Sequence, residues 1–206
     1  MVVAAVVAAV VAAVIAYLLG CLDTGYYLVR YRTGQDVRDL GSGGTGAKNV
    51  GRVLGRTGFI VVFIADCLKG AAALWVASLL GTGQAGIAIA TIAVVLGHVF
   101  PVQLQFRGGR GASTALGALF VIVPLVAIAT LLSSLVLYLL SRKPAPSGVA
   151  AFALMPIFTW AFDYSSLVFL TVIGVTALLL FTHRVHLPET AGMFRRPPPA
   201  IDRVAT

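Results

Sequence analysis

Charge is scarce in this 206-residue chain: 11% of its residues are Asp, Glu, Lys or Arg, where a soluble domain carries about 25%. Acidic residues are scarcest, 7 against 15 Lys+Arg, for a formal net charge of +8. With 59% hydrophobic residues, the chain is neither disordered nor an ordinary water-facing globule. Cysteine is nearly absent. Cys21 and Cys67 both lie in apolar runs, which excludes a disulfide framework and a CxxC metal pattern. Each reads as a small buried hydrophobe. The glycine-rich stretch lacks the Gly-Lys-Ser/Thr ending of a P-loop, and no strand–helix alternation supports a dinucleotide fingerprint. No Ser-His-Asp order stands out. The basic residues sit in short loops between apolar runs, which speaks against nucleic acid.

What the chain does have is length of apolar run. Mean hydropathy is +0.99, and a membrane helix needs about 20 consecutive apolar residues. The first run is 2–29, with the hydrocarbon-spanning part ending near Leu22 because Asp23 follows. It lacks a basic n-region and reads as a membrane helix rather than a cleaved signal peptide. Further runs are 57–80, broken by Asp66 and Lys69; 85–104; 112–140, where Pro124 is placed to kink the helix; and 149–182, broken near Asp163 into two shorter helices. Residues 81–84 read as a tight turn and 141–148 as a loop.

These runs predict an all-α, polytopic integral membrane helix bundle with five full crossings, or seven with short helices. Cations concentrate at 30–56, at 105–111 and in the tail from His183, while the 81–84 turn has none. Lys and Arg in short loops mark the cytoplasmic side. That places the N-terminus outside and the basic segments and C-terminus in the cytoplasm. Residues 1–185 are expected to form one transmembrane domain, and 186–206 a basic, proline-rich tail.

Two islands carry chemistry. The first contains Gly41, Ser42, Gly43, Gly44, Gly46, Lys48, Asn49 and Arg52. Closely spaced glycines let backbone N–H groups converge on one point, and the hydroxyl and cations suit a phosphate. The bland alternative is a flexible basic loop. The second island holds Arg107, Gly108, Gly109, Arg110, Gly111 and Thr114. It opens an apolar run whose helix N-terminus would add its dipole to anion binding. Asp66 and Lys69, three apart, share a helix face. They form an internal ion pair, or Lys69 faces an aqueous pocket. His98 is a buried histidine or orients the second island. His183 and His186 lie at the end of the last run, on the island side.

The order Gly41-Ser42-Gly43 through Asn49 and Arg52, Asp66 with Lys69-Gly70, Gly97-His98-Val99-Phe100-Pro101 and then Phe106 to Gly111 resembles the acyl-phosphate-dependent glycerol-3-phosphate acyltransferases of bacteria. That resemblance spans about residues 1–185. It implies about seven helices in the bacterial inner (plasma) membrane, with the active site facing the cytoplasm. The implied reaction moves a fatty acyl group from acyl-phosphate to glycerol 3-phosphate, giving lysophosphatidic acid and phosphate for phospholipid synthesis. It needs no cofactor and no metal. Ser42, Arg52 and Arg110, assisted by His183, would hold the glycerol phosphate and serve catalysis. The glycine-rich islands, with Asn49, Lys69, His98, Arg107, Thr114 and His186, would bind phosphate and substrate. The chain departs from the family where Gly44 replaces Asn, Lys48 replaces Thr, and Arg107 and Arg110 replace lysines. His186 stands where the third motif has Asn, leaving that motif half present. The expected partners are the two substrates and membrane lipid, with no nucleic acid, acting on a monomer. Alternatives are a divergent relative with altered or lost activity, an anion or phospho-metabolite transporter, and a lipid-associated protein whose islands bind headgroups.

Overall fold

A computed structural model describes residues 2–184. Among them the chain is all helical: α1 (Val2–Cys21), α2 (Thr24–Thr33), α3 (Ala47–Leu79), α4 (Gly83–Val99), α5 (Ala112–Ile122), α6 (Pro124–Ser141), α7 (Pro144–Ala161) and α8 (Ser166–His183). Short 3-10 turns occupy Val37–Asp39 and Val102–Leu104. Counted as rods, with α1 and α2 forming one 32-residue apolar stretch, there are seven, as expected. Among the described residues, five segments are long and apolar enough to cross a membrane.

The breaks follow local chemistry. The first run stops at Cys21, and Asp23 restarts it as α2 by accepting the Tyr26 N–H at 3.1 Å, which satisfies an orphan donor of the new helix. Gly34 closes α2 in the left-handed conformation, at φ 72°. Inside α3, Gly55 sits at φ 73° and ψ −166°, so the helix is kinked there. A short basic segment carrying Lys48 and Arg52 thus precedes the long apolar rod. The 112–140 run is broken rather than bent. Its first helix ends at Ile122, and Pro124 opens the next, where a missing N–H costs nothing. The expected loop over 141–148 is shorter than predicted, because Pro144 likewise starts α7.

At the centre α4 packs against α1, α3, α5 and α8. The core includes Ala12, Ala16, Leu74, Val94, Leu119, Met155 and Leu179, all essentially inaccessible. Outward-facing side chains are also apolar, among them Val3, Val7, Val10 and Leu131. In water such a surface would aggregate; in a bilayer it meets acyl chains. Apolar side chains gain little from leaving lipid for a helix interface, so the helices approach through small residues. The closest approaches come in reciprocal glycine pairs. A Cβ on Gly20 of α1 would strike the Val94 carbonyl of α4, and one on Gly97 of α4 would strike the Tyr17 carbonyl of α1. Gly70 of α3 and Gly117 of α5 are related in the same way through the carbonyls of Thr114 and Cys67.

Gly97→Val and Gly117→Val should therefore each destabilise the bundle by about 1–3 kcal/mol or more, the usual range for overpacking. Gly148→Val, where nothing stands within 4 Å of the added carbon, should change little. Thermal unfolding in detergent compares the three.

Candidate active site

The two glycine-rich islands meet at one end of the bundle. A pocket of about 280 Å³ opens there, lined by Ser42, Gly43 and Gly44 from the first island and by Arg107, Gly108, Gly109 and Arg110 from the second. Val99, Phe100, Phe106 and Phe181 give it an apolar wall, and Thr182 and Arg184 join from the end of α8.

Three hydrogen-bonded ties hold these pieces together. In the first turn of α3, Asn49 is buried and clamps the preceding loop. Its carboxamide oxygen accepts the Ser42 N–H at 2.8 Å, while its Nδ2 donates to the carbonyls of Val37, Leu40 and Gly44 at 2.8–3.1 Å. Gly41, at φ 57°, passes so close that a Cβ would meet that carboxamide oxygen and lie 3.7 Å from the Arg52 Cδ. The second tie joins the islands. Arg38 is forked onto Asp36 at 2.6–3.0 Å and donates its Nη1 to the Leu104 carbonyl at 2.9 Å; its guanidinium also lies 5.3 Å from the centre of the Tyr26 ring. The third joins the second island to α8, where the Thr182 hydroxyl donates to the Arg110 carbonyl at 2.9 Å. Behind the first island the Thr45 hydroxyl donates to Asp23, both side chains being buried.

The electrostatics are one-sided. The charges of Arg52 and Arg110 both act on Lys48, and among the described residues no carboxylate lines the pocket. The nearby Asp36 is committed to Arg38, whose guanidinium bonds hold that carboxyl below its ordinary value. The helices α3 and α5 begin within the two islands, behind Gly46 and Gly111, and neither has a side-chain cap. Their unfilled N–H groups and positive dipole ends add to the field. The arrangement can hold a phosphate-sized anion beside an apolar chain.

The predicted residues thus divide. Ser42, Gly43, Gly44, Arg107, Gly108, Gly109 and Arg110 line one pocket, with Arg52 alongside Gly41. His183 stands at the end of α8 beside Thr182, its Nδ1 2.7 Å from the Leu179 carbonyl and its ring 5.7 Å from that of Phe152. Gly46 and Gly111 start helices; Gly111, at φ 85°, is packed on Val95 and Val99 of α4.

Asn49 is turned inward, and its amide is spent on the loop rather than presented to a ligand. Thr114 is buried in the α3–α5 contact. The reading of Lys69 as facing an aqueous pocket is not what the structure shows. Lys69 is buried, with its Nζ 2.9 Å from Asp66, 2.8 Å from the Leu22 carbonyl and 2.8 Å from the His98 Nδ1. A lysine on an apolar rod finds its lowest energy with every N–H satisfied. His98 is equally buried, beneath Gly109. His186 lies outside the described residues. Sequence reasoning missed Arg38, Asp36, Thr45 and Thr182; only the Asp36-x-Arg38 spacing offered a signal.

Comparison with known proteins gives these features a family. A model of the glycerol-3-phosphate acyltransferase family matches residues 10–191. Glycerol-3-phosphate acyltransferase 1 of Desulfitobacterium hafniense is 39% identical over 175 residues, covering 84% of this chain and 86% of the relative. The glycerol-3-phosphate acyltransferase of Thermoanaerobacter pseudethanolicus is 36% identical over 171 residues, covering 83% and 86%. The crystal structure of PlsY (YgiH), an integral membrane glycerol 3-phosphate acyltransferase, in its glycerol 3-phosphate form superposes with a TM-score of 0.83 at 32% identity, covering 90% of this chain and 92% of that one. Its lysophosphatidic acid form gives 0.80 at 30%.

The Arg38–Asp36 tie makes a pH prediction. A carboxyl held below its ordinary value contributes stability that is full above the unfolded value and is lost as pH falls through the lowered one. Asp36→Asn should therefore be less stable than the parent near neutrality. The gap should close as pH drops below about 4, the ordinary aspartate value. Unfolding curves of both proteins across pH check it; a gap independent of pH would show that the carboxylate charge is idle.

Proposed function

The chain belongs to the glycerol-3-phosphate acyltransferase family, and from that premise we propose that it transfers a fatty acyl group from acyl-phosphate to glycerol 3-phosphate, releasing lysophosphatidic acid and phosphate. The observation that carries this reading is the convergence of two cationic glycine-rich islands on one pocket that also has an apolar wall. Both proposed substrates bear a phosphate, and the donor adds an alkyl chain.

Acyl-phosphate is a mixed anhydride, already activated, so no protein nucleophile is required. A glycerol 3-phosphate hydroxyl oxygen attacks the acyl carbonyl carbon. The bond from that carbon to the phosphate oxygen breaks, and phosphate leaves with the electron pair. The hydroxyl proton passes to a phosphate oxygen of the donor. Ser42, Arg52 and Arg110, with His183, hold the glycerol phosphate, and backbone N–H groups of the glycine turns cradle the donor phosphate. Arg107 and Lys48 add charge that favours the developing phosphate and oxyanion over the neutral carbonyl. Holding hydroxyl and carbonyl in register in one confined pocket supplies much of the rate.

The basic end of the bundle faces the cytoplasm in this reading, because Lys and Arg in short loops stay on that side. The membrane is the bacterial plasma membrane. Residues 1–185 form the working domain, with 186–206 a basic tail.

The test is turnover by the full chain in lipid, with palmitoyl-phosphate and glycerol 3-phosphate, following phosphate and lysophosphatidic acid together. Equal release of the two without coenzyme A is the expected result. Palmitoyl-coenzyme A as a competent donor, with palmitoyl-phosphate inert, would overturn the donor assignment. Arg52→Ala and Arg110→Ala should each lower turnover by about 10²–10³-fold, the scale for losing one charge-stabilising donor, while remaining folded. Near-parental activity in either variant removes that residue from the site.

A further inference from the structure

Beneath the second island lies a buried polar chain that the acyl-transfer chemistry does not use. Asp66 and Lys69 on α3 and His98 on α4 are all nearly inaccessible. The Lys69 ammonium contacts the Asp66 Oδ1 at 2.9 Å, the Leu22 carbonyl at 2.8 Å and the His98 Nδ1 at 2.8 Å. An ammonium has three donors and no acceptor. Hydrogen bonds go to the Leu22 carbonyl and the His98 Nδ1, the Asp66 carboxylate adds its charge from 2.9 Å, and against an ammonium the His98 Nδ1 must be the accepting partner. A neutral imidazole that accepts at Nδ1 carries its proton on Nε2.

The far side of that ring is seated against Gly109. A Cβ added there would overlap the His98 Nε2 and its two neighbouring ring carbons. The main chain follows the same contact, because the Gly109 N–H donates to the His98 carbonyl at 3.0 Å and the Gly108 N–H to the Val99 carbonyl at 3.1 Å. Gly108, Gly109 and Arg110 line the pocket. A fixed imidazole plane therefore forms the underside of the turn that presents Arg110. The Leu22 carbonyl at the α1–α2 break draws α1 into the same knot.

We infer that Lys69 is a positioning residue for the acyl transfer, acting through His98: with Asp66 behind it, Lys69 locks one tautomer and one ring orientation of His98, and so sets where the Gly108–Arg110 turn stands in the pocket. This rests on the pocket being the glycerol 3-phosphate site. Lys69 and His98 touch no substrate in this assignment. The buried Lys69–Asp66 ion pair is retained for geometry, which an uncharged pair of similar size would not impose.

Two measurements test it, and they fail separately. The first needs no activity. The chain has three histidines, so ¹⁵N-histidine labelling of the full protein in lipid gives a spectrum simple enough to assign by the loss of one set of signals in His98→Ala. The expected result is an unprotonated Nδ1 and a protonated Nε2 for His98, with the tautomers mixing in Lys69→Met. A His98 protonated on Nδ1, or on both nitrogens, in the parent protein would overturn the inference.

The second is a double-mutant cycle on the KM for glycerol 3-phosphate, using Lys69→Met, His98→Ala and the pair, with thermal unfolding confirming that each is folded. Each single variant should raise KM by about 10-fold or more, in line with the cost of small displacements of reacting groups. The pair should be no worse than His98→Ala alone, because Lys69 has then lost the group it acts through. Effects that multiply in the pair, or a Lys69→Met protein with parental KM and kcat, would overturn it. Should Lys69→Met fail to fold, the tautomer of the parent protein still decides. Should the parent protein show no acyl transfer, the reading of the pocket fails, and the tautomer spectrum judges the buried chain by itself.

Discussion

The two islands of this protein are joined by a long-range tie, the donation of Arg38 Nη1 to the Leu104 carbonyl across 66 residues of sequence. Each island alone is a cation-rich, glycine-rich loop, and two such loops repel each other. The tie draws them onto one floor, and it holds because Asp36 orients the guanidinium and neutralises it. Without a shared floor the cations would be a diffuse positive-inside signal. With it they become one pocket of about 280 Å³ with a cationic rim and an apolar wall.

The helices exist to aim those loops. Reciprocal glycines let α1 lie on α4 and α3 on α5 at backbone distance. That brings the starts of α3 and α5 and the end of α8 to the same end of the bundle. Lipid exposure demands that the rods be apolar outside, and close packing demands that they be small inside. Among the described residues, the ionisable side chains buried within the bundle stand where they brace the islands. Asp23 with Thr45 stands behind the first, and Asp66, Lys69 and His98 lie beneath the second.

The fold was legible because hydropathy governs it. The helix break at Asp23, the entry of an apolar rod after Gly55 and the restart at Pro124 are local decisions, written in residues that cap, kink or lack an N–H. The two stretches at 41–46 and 107–111 stood out by their shared basic, glycine-rich composition, and residues of both line one pocket. The ties were not legible. Arg38 is bonded to a backbone carbonyl, which has no signature of its own, and its partner is set only when the chain has folded. Asn49 and Lys69 carry the right chemistry for a phosphate, yet burial gives them other partners. A loop clamp and a buried knot share the residue types of a binding site, and only the direction of the side chain separates them.

The central claim is that the two islands hold one phosphate between them. Equilibrium binding of glycerol 3-phosphate to the lipid-embedded protein addresses it, measured for the parent, Ser42→Ala, Arg110→Ala and the double variant. The account predicts strong coupling: once one island has lost its contact, removing the other costs far less than it does in the parent. Losses that simply add would contradict it, since they would place Ser42 and Arg110 on anions that do not share a site.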